Sequence, residues 1–284
     1  MVSVFYLALL LLMLFYPELY IPSAYHALKI WGLDVVPSLF PYMVFCRLLA
    51  ARLRVARIRP SCISVFLGLL GGSPSGASVL CVYRQAMPAQ VLLSLAALTG
   101  TLSPMFILNT AYKWLRNPAL CRALFVCHLA GAIFSSVLVY WIMCRFPACF
   151  QLSHTQNADT GSGESVVQQS IFAVLNIGGC IVMYSVMAVY IGKLPFLSAS
   201  QSLSAFMHAM LEVSGGIYAI SELPDTPMRA YLLAAAAGFS GLSILAQNAY
   251  FLRPLGIRMK HQLLFSLLRA VGSVLAMCIY QAMA

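Results

Sequence analysis

Three ionisable residues lie inside long apolar stretches of the sequence, where a charge is costly. Glu212 is in the middle of residues 203–223, Arg269 lies several residues inside the last apolar stretch, and His128 lies in the first half of residues 119–144. A carboxyl, a guanidinium and an imidazole at membrane depth are typical of sites that bind a solute or a coupling cation. Each also has a structural explanation: Glu212 can bind backbone N–H groups, Arg269 can extend to an interface, and His128 can bond between helices.

One stretch that cannot form a regular helix is Gly71-Gly72-Ser73-Pro74-Ser75-Gly76. Glycine is a poor helix residue, and Pro74 lacks an N–H and opposes the preceding turn. Non-helical backbone at membrane depth is tolerated only where protein or a water-filled cavity satisfies its polar groups. We therefore predict that residues 61–81 form a re-entrant hairpin with its tip at a polar site. Residues 203–223, with the polar centre Glu212-Val213-Ser214-Gly215-Gly216, are predicted to form a second one.

Two further apolar stretches are interrupted near their middle. Residues 89–115 contain Thr99-Gly100-Thr101-Leu102-Ser103-Pro104, and residues 228–252 contain Gly238-Phe239-Ser240-Gly241-Leu242-Ser243. Both patterns predict a discontinuous transmembrane helix, whose half-helix N-terminus exposes unpaired N–H groups and the positive end of a dipole. Isolated Ser and Thr in membrane helices commonly bond a carbonyl one turn back, but their coincidence with every interruption favours a cavity lining.

The predicted solute site combines the polar groups of the hairpin tips and helix breaks with the three ionisable residues. Half-helix ends are suited to carboxylate oxygens, and a few well-placed polar groups orient a bound solute. The predicted members are Gly72, Ser73, Ser75, Gly76, Thr101, Ser103, Asn109, His128, Glu212, Ser214, Gly215, Ser240, Ser243, Gln247, Asn248 and Arg269. We predict no catalytic residue, no metal ligand and no cofactor, although H+ or Na+ is a candidate coupling ion.

Composition places these residues in an all-α polytopic membrane protein. The chain of 284 residues is 62% hydrophobic and only 8% charged, whereas charged residues make up about a quarter of a soluble globular protein. The formal charge of +10 would suggest nucleic acid in a soluble chain, but here the basic residues cluster in short loops beside apolar stretches. The nine cysteines include no C-x-x-C pair, so buried free thiols are favoured over disulfides.

The chain is predicted to consist of two weakly similar halves. A membrane helix and connection (1–29) come first. The first repeat (30–146) then consists of a span, a re-entrant hairpin, a broken helix and a span. A polar linker (147–168) joins it to the second repeat (169–284). Asn109-Thr110-Ala111-Tyr112 matches Gln247-Asn248-Ala249-Tyr250, and His128-Leu129-Ala130-Gly131 matches Arg269-Ala270-Val271-Gly272. Three crossings per half is an odd number, which predicts an inverted repeat, a feature of secondary transporters.

The distribution of basic residues predicts seven crossings with a cytoplasmic N-terminus. In that orientation the cytoplasmic side has the larger share of Arg and Lys, as the positive-inside rule requires. That side carries Arg47, Arg52, Arg54, Arg57, Arg59, Arg84, Arg145, Arg253, Arg258 and Lys260, and the opposite side carries Lys29, Lys113, Arg116, Arg122, Lys193 and Arg229.

The motifs of both halves together resemble those of the nucleoside-recognition (Gate) domain membrane proteins. Gly-Gly-Ser-Pro-Ser-Gly-Ala, Gly-Phe-Ser-Gly-Leu-Ser and the intramembrane Glu212-Val-Ser-Gly-Gly look most like the YlbJ/SpoVV group of sporulation integral membrane proteins, over about residues 30 to 280. The resemblance implies a fold similar to concentrative nucleoside transporters, with paired hairpins and broken helices. It also implies a bacterial cell membrane or outer forespore membrane location, and transport of dipicolinic acid during sporulation.

Several functional classes are compatible with these features. The leading one is a secondary transporter of a small anionic organic solute in a lipid bilayer, and the alternative is a nucleoside or other neutral-solute carrier of the same fold. An intramembrane enzyme is disfavoured because the sequence contains no G-x-S-x-G and no H-E-x-x-H, and a scaffold has no need of two matched helix breaks. The sequence leaves the oligomeric state open and predicts no nucleic-acid partner.

Overall fold

The computed structural model describes residues 2–53, 58–146, 165–198 and 200–283, and most of the predicted linker (147–168) lies outside these ranges. Within them the chain is helical and contains no β-strand. The helices are α1 Val2–Phe15, α2 Pro17–Lys29, α3 Val36–Leu53, α4 Pro60–Gly71, α5 Ser75–Tyr83, α6 Ala89–Thr99, α7 Tyr112–Leu115, α8 Pro118–Arg145, α9 Val166–Gly192, α10 Pro195–Ser198, α11 Gln201–Leu211, α12 Val213–Ser221, α13 Pro227–Phe239, α14 Gly241–Leu252 and α15 Met259–Met283.

Five helical stretches in the described part of the chain are long and apolar enough to cross a bilayer. They are Pro17–Leu53, Pro118–Arg145, Val166–Gly192, Pro227–Leu255 and Met259–Met283. A crossing needs about 20 predominantly apolar residues, which each of these stretches exceeds. The protein is thus all-helical and has the helices of a polytopic membrane protein.

The N-terminal region is more helical than the sequence predicts. A connection was expected before residue 30, but α2 begins at Pro17 and continues into α3 through a π-helical turn, Ile30–Val35. The wider i→i+5 bonding of a π turn accommodates the local disturbance of the ladder just before Pro37. α9 supports this long helix along its length, because Ser23 Oγ donates to Ser185 O (3.2 Å) and Trp31 Nε1 donates to Val174 O (3.2 Å).

Two pairs of short helices turn at the polar centres of the sequence. α4 and α5 form the first helix pair, with its turn at residues 72–74, and α11 and α12 form the second, with its turn at Glu212. In the second pair a Cβ on Gly216 would lie only 2.1 Å from Ala209 Cα, so the two helices are in backbone contact just below the turn. In the first pair the contact is looser, because a Cβ on Gly76 would lie 3.2 Å from Gly68 O.

The two interrupted helices have their breaks inside the predicted segments. α6 ends at Thr99 and helix resumes at Pro104, continuing through a π-helical turn, Phe106–Ala111, into α7. In the second half α13 ends at Phe239 and α14 begins at Gly241, so Ser240 alone forms the break, with a φ of 69°. A left-handed residue of this kind ends a helix because it turns the next peptide out of the ladder.

α8 and α15 pack closely against each other. A Cβ on Gly272 would lie 2.9 Å from Gly131 Cα, and Ser135 Oγ donates to Phe265 O at 3.1 Å. Small residues allow helix backbones to approach this closely in a membrane, where packing rather than hydrophobic burial holds helices together. The Gly131 and Gly272 that the sequence comparison matched between the halves are therefore direct neighbours.

The two ends of the helix bundle differ in charge. At one end, hydrogen bonds from Tyr83 Oη to Ala50 O (2.7 Å) and from Arg84 to Pro254 O (3.2 Å) bring together the ends of α3, α5 and α14. This basic end contains Arg52, Arg84, Arg253, Arg258 and Lys260, whereas the acidic residues that the structure describes lie elsewhere. The other end is mixed in charge, with ion pairs between Lys113 and Asp34 (3.3 Å) and between Arg229 and Asp225.

Candidate functional site

In the first half, the turn of the helix pair packs directly against the helix break. Ser73 N donates to Thr101 O at 2.7 Å, and a Cβ on Gly72 would lie 2.5 Å from Ser103 N. Gly72 has φ 60° and ψ −165°, a conformation that is essentially restricted to glycine. Only glycine therefore permits this contact between turn and break.

The second half has a similar contact between its turn and its break. Here the glycine belongs to the break: Gly241 has φ 75°, and a Cβ on it would lie 3.0 Å from Val213 N and 3.2 Å from Ala209 O. The break itself is supported locally, because Ser240 Oγ donates to Ala237 O at 3.0 Å. Each helix pair thus ends on the broken helix of its own half.

A hydrogen bond joins the two halves at the same level. Ser73 Oγ donates to Asn248 Oδ1 at 2.6 Å, and both side chains are buried. Ser73 belongs to the first turn and Asn248 to the second broken helix, 175 residues further along the chain. Two residues predicted for the site are therefore direct partners.

Both turns, the first break and α14 line one cavity of about 40 Å³. A single water needs roughly 10–15 Å³ measured in this way, so the space is large enough for a few waters. The polar residues that line it are Ser38, Ser73, Ser103, Glu212, Ser214 and Gln247, and the apolar ones are Val35, Leu39, Leu102, Phe106, Ile177, Ile181, Val213 and Ile244. Five of the six polar residues are among those that the sequence predicts.

Glu212 caps the N-terminus of α12 and also faces the cavity. Its Oε1 accepts from Ser214 N (2.9 Å) and its Oε2 accepts from Gly215 N (2.6 Å), while only 1% of the residue is exposed. A carboxylate at this position satisfies two N–H groups that have no partner within the helix and lies at the positive end of its dipole. The structural explanation of Glu212 thus holds, and the free lone pairs of its oxygens remain available on the cavity side.

Arg269 occupies a different site from the one expected. Its Nε donates to Gly238 O (3.2 Å), one terminal nitrogen donates to Ala97 O (3.1 Å) and the other donates to Ser266 Oγ (2.7 Å). The two carbonyls belong to the C-terminal ends of α13 and α6, where the helix dipole is negative and carbonyls lack helical partners. Arg269 therefore links the interrupted helices of the two halves.

The sequence places Arg269 and Glu212 in one predicted site, but the two side chains are not paired in the structure. No ion pair joins the two side chains within 4.0 Å, and Arg269 is not among the residues that line the cavity. The expectation was wrong because depth in the sequence places a residue at the membrane midplane but does not decide which helix face it occupies. The guanidinium faces the α6 and α13 carbonyls instead.

His128 lies beside Arg269 and the backbone of Leu102, also outside the cavity lining. It is only 1% exposed, and neither ring nitrogen has a partner with hydrogen-bond geometry in the described part of the chain. The positions of His128 and Arg269 match in the sequence comparison, and the structure makes them neighbours across the α8–α15 crossing. We see no group in the cavity that His128 contacts.

The remaining predicted residues surround the cavity without lining it. The hydroxyls of Ser75, Thr101 and Ser243 are buried and lack a hydrogen-bond partner among the described residues. Gly76 packs on Thr99, where a Cβ would lie 2.8 Å from two of its atoms, so its role is helix packing. Asn109 is half-buried on the π-helical turn Phe106–Ala111.

Sequence reasoning missed a row of aromatic rings that runs from the cavity to the surface. Phe106 lines the cavity and contacts Trp114 (centroids 6.1 Å apart), Trp114 contacts Tyr218 (5.8 Å), and Tyr218 contacts the exposed His26 (5.5 Å). These residues come from four different helical segments, so no local pattern connects them. The contacts of Trp114 with Phe106 and with Tyr218 are edge-to-face, a geometry that stabilises aromatic packing.

Comparison of the chain with protein-family models, curated proteins and solved structures gives no match. The family resemblance therefore stays a prediction based on the motifs in the sequence.

Proposed function

We propose that the chain is a secondary transporter of a small polar organic solute, which binds between the turns of the two helix pairs. The observation that carries the proposal is that both turns, the first break and the second broken helix line one cavity. Unwound backbone and half-helix ends near the midplane are the usual construction of a solute site in such transporters. A cavity of this small volume must widen to admit such a solute.

We further propose that the two halves form an inverted repeat and that both helix pairs are re-entrant. In support, each pair ends on the break of its own half, and the matched glycines of α8 and α15 are in contact, as residues near a twofold axis would be. A helix pair that enters the bilayer, turns near the midplane and leaves on the same side is compatible with a bilayer when protein covers its turn.

The cavity lining favours a neutral solute. Its polar groups are hydroxyls, an amide and one carboxylate, and it contains no Arg, Lys or His. A buried carboxylate in a lining without Arg or Lys disfavours a second negative charge, whereas sugar hydroxyls and base edges are donors and acceptors that match these groups. This observation supports the nucleoside or neutral-solute carrier, which the sequence ranks second.

An anionic solute, including the dipicolinic acid that the family resemblance implies, is the second candidate. One observation favours it: α5 begins at Ser75 beside the cavity residue Ser73, and its N-terminus has no side-chain cap. Gly76 N already donates to Gly72 O, but a further N–H group at the positive end of the helix dipole can donate to a carboxylate. Arg269 does not contribute to this candidate, because its guanidinium is occupied by the α6 and α13 carbonyls.

We propose that the basic end of the bundle faces the cytoplasm, which keeps the predicted cytoplasmic N-terminus. The asymmetry between a purely basic end and a mixed end follows the positive-inside rule.

Uptake into proteoliposomes tests the function. Purified protein is reconstituted and uptake of labelled uridine and labelled dipicolinate is measured with and without pH and Na+ gradients. We expect saturable uridine uptake that Gln247→Ala lowers by about tenfold, because the buried cavity amide is lost. Gln85→Ala is the matched control, since Gln85 is exposed at the basic end. Dipicolinate uptake without uridine uptake would establish the anionic candidate, and uptake of neither solute would refute both.

A further inference from the structure

We propose that His208 and Glu212 form a proton-binding pair beside the cavity, and that His26 connects this pair to the surface. The inference rests on the proposed transport function and deepens it, because it assigns the proton as the coupling ion and His208 as the residue that delivers it to Glu212. Sequence reasoning did not select His208.

His208 lies one turn before Glu212, near the end of α11. Its Nε2 is buried and has no hydrogen-bond partner in the described part of the chain. A buried imidazole nitrogen without a partner is costly, so its position needs a reason. The neighbouring carboxylate supplies one.

The two side chains face each other across Gly215. The position that a Cβ on Gly215 would occupy is 2.9 Å from His208 Nε2 and 3.3 Å from Glu212 Oε2, so these atoms lie within about 6 Å of each other. One water with two ordinary hydrogen bonds spans about this distance. Any side chain at residue 215 would occupy the space between them, which explains why glycine is suited to this position.

His26 extends the line of proton-binding groups to the surface. It is exposed on α2, and its ring contacts that of Tyr218 on α12, the helix that packs on α11. A histidine is the side chain that exchanges protons most readily near neutral pH. The series His26, His208 and Glu212 therefore leads from the exterior to the cavity wall.

No other charged group competes for this role among the helices that pack on α11. Arg229 of α13 is held at the far end of α12 by Asp225 and by the carbonyls of Ser221 and Leu223. The remaining titratable side chains on α9, α10, α12, α13 and α14 are tyrosines and Cys180. The charge state of the pair is thus set by His26, His208 and Glu212 themselves.

The proton transfer balances without any further reactant. The His208 imidazolium gives its Nε2 proton, directly or through one water, to a carboxylate oxygen of Glu212, which becomes a neutral acid. The neutral His208 then takes a proton from His26 or from bulk water. Protonation removes the negative charge from the cavity wall, so it changes how the site interacts with a solute.

Transport measurements test the coupling. In proteoliposomes we expect His208→Gln to lower pH-gradient-driven uptake of uridine or dipicolinate by at least about tenfold, while counterflow exchange without a gradient changes less than about twofold. Gly215→Ala should also lower gradient-driven uptake, because a Cβ there would lie 2.9 Å from His208 Nε2 and 3.3 Å from Glu212 Oε2. His261→Gln, on α15 at the basic end, is the matched control and should leave both activities unchanged. Gradient-driven uptake by His208→Gln at the wild-type rate would overturn the proposal.

Infrared spectroscopy tests the proton site independently of any solute. After a downward pH jump, the reconstituted protein should develop the C=O stretching band of a protonated carboxyl, assigned to Glu212 by its loss in Glu212→Gln. We expect the band to appear about tenfold more slowly in His208→Gln. An unchanged rate, or no band in the wild type, would refute the proton pair. If the band behaves as expected but neither solute is transported, the choice of solutes fails and the proton pair stands.

Discussion

Replacement of Gly72 by Ala tests the contact between the first turn and the first break. The added Cβ would lie 2.5 Å from Ser103 N, 2.6 Å from Ser103 Cα and 2.7 Å from Ser103 Cβ. None of these atoms is the end of a flexible side chain, so the backbone itself must separate. The substitution also places a side chain at φ 60° and ψ −165°.

The expected cost follows from three contributions. Backbone strain at this conformation costs about 1–3 kcal/mol, overpacking costs about 1–3 kcal/mol, and loss of the bond from Ser73 N to Thr101 O costs about 1 kcal/mol. We expect a total of about 4 kcal/mol, which for a chain of this size lowers the midpoint of thermal unfolding by roughly 10 °C. Solute uptake should be lost as well, because the turn lines the cavity.

Two other glycines provide the comparison. Gly241→Ala should be intermediate, at about 1–2 kcal/mol, because its φ is 75° but its closest contact is 3.0 Å. Gly179→Ala should be neutral or slightly stabilising, since nothing lies within 4 Å of its Cβ position on α9. The assay is thermal unfolding of detergent-solubilised protein. If Gly72→Ala unfolds at the same temperature as Gly179→Ala, the close contact between turn and break does not exist.

Three further predictions concern the ionisable residues and the topology. Arg269→Lys should destabilise the protein by about 2 kcal/mol, because one ammonium cannot replace the guanidinium that bonds both helix ends. The solute affinity of the folded variant should stay unchanged. A lower affinity in a calorimetric titration would show that Arg269 belongs to the solute site. Glu212→Gln should lower the free energy of unfolding by about 1–2 kcal/mol, because an amide offers one acceptor oxygen to two N–H donors. It should also abolish the stimulation of uptake by a pH gradient, because an amide takes up no proton. Full stimulation in this variant would contradict the role of Glu212. A cysteine at Ser162, in the linker segment outside the described residues, should react with an impermeant thiol reagent only from the cytoplasmic side, and reaction only from outside would invert the proposed orientation.

The sequence did not reveal the surroundings of His208 and Arg269, and the reason is the same for both. His208 is a lone histidine in an apolar segment, and the only sequence signal for it was its spacing of four residues from Glu212, which places both near one helix face. Arg269 was identified as a buried functional group, but its partner Ala97 is 172 residues away. A sequence without an alignment contains no information about such distant approaches.

The sequence by itself determined the class of the protein and the positions of its irregularities. Apolar stretches of about 20 residues require membrane-type helices. Gly, Pro and Ser interrupt helices through local backbone conformation and missing N–H groups, so the breaks at Gly100 and Ser240 were predictable. Only the tertiary structure decided that the α2 connection is helical, that Glu212 caps α12 while facing a cavity, and that Arg269 joins two helix ends. Those outcomes depend on which helix faces meet, and helix-face contacts are set by packing between segments far apart in the chain.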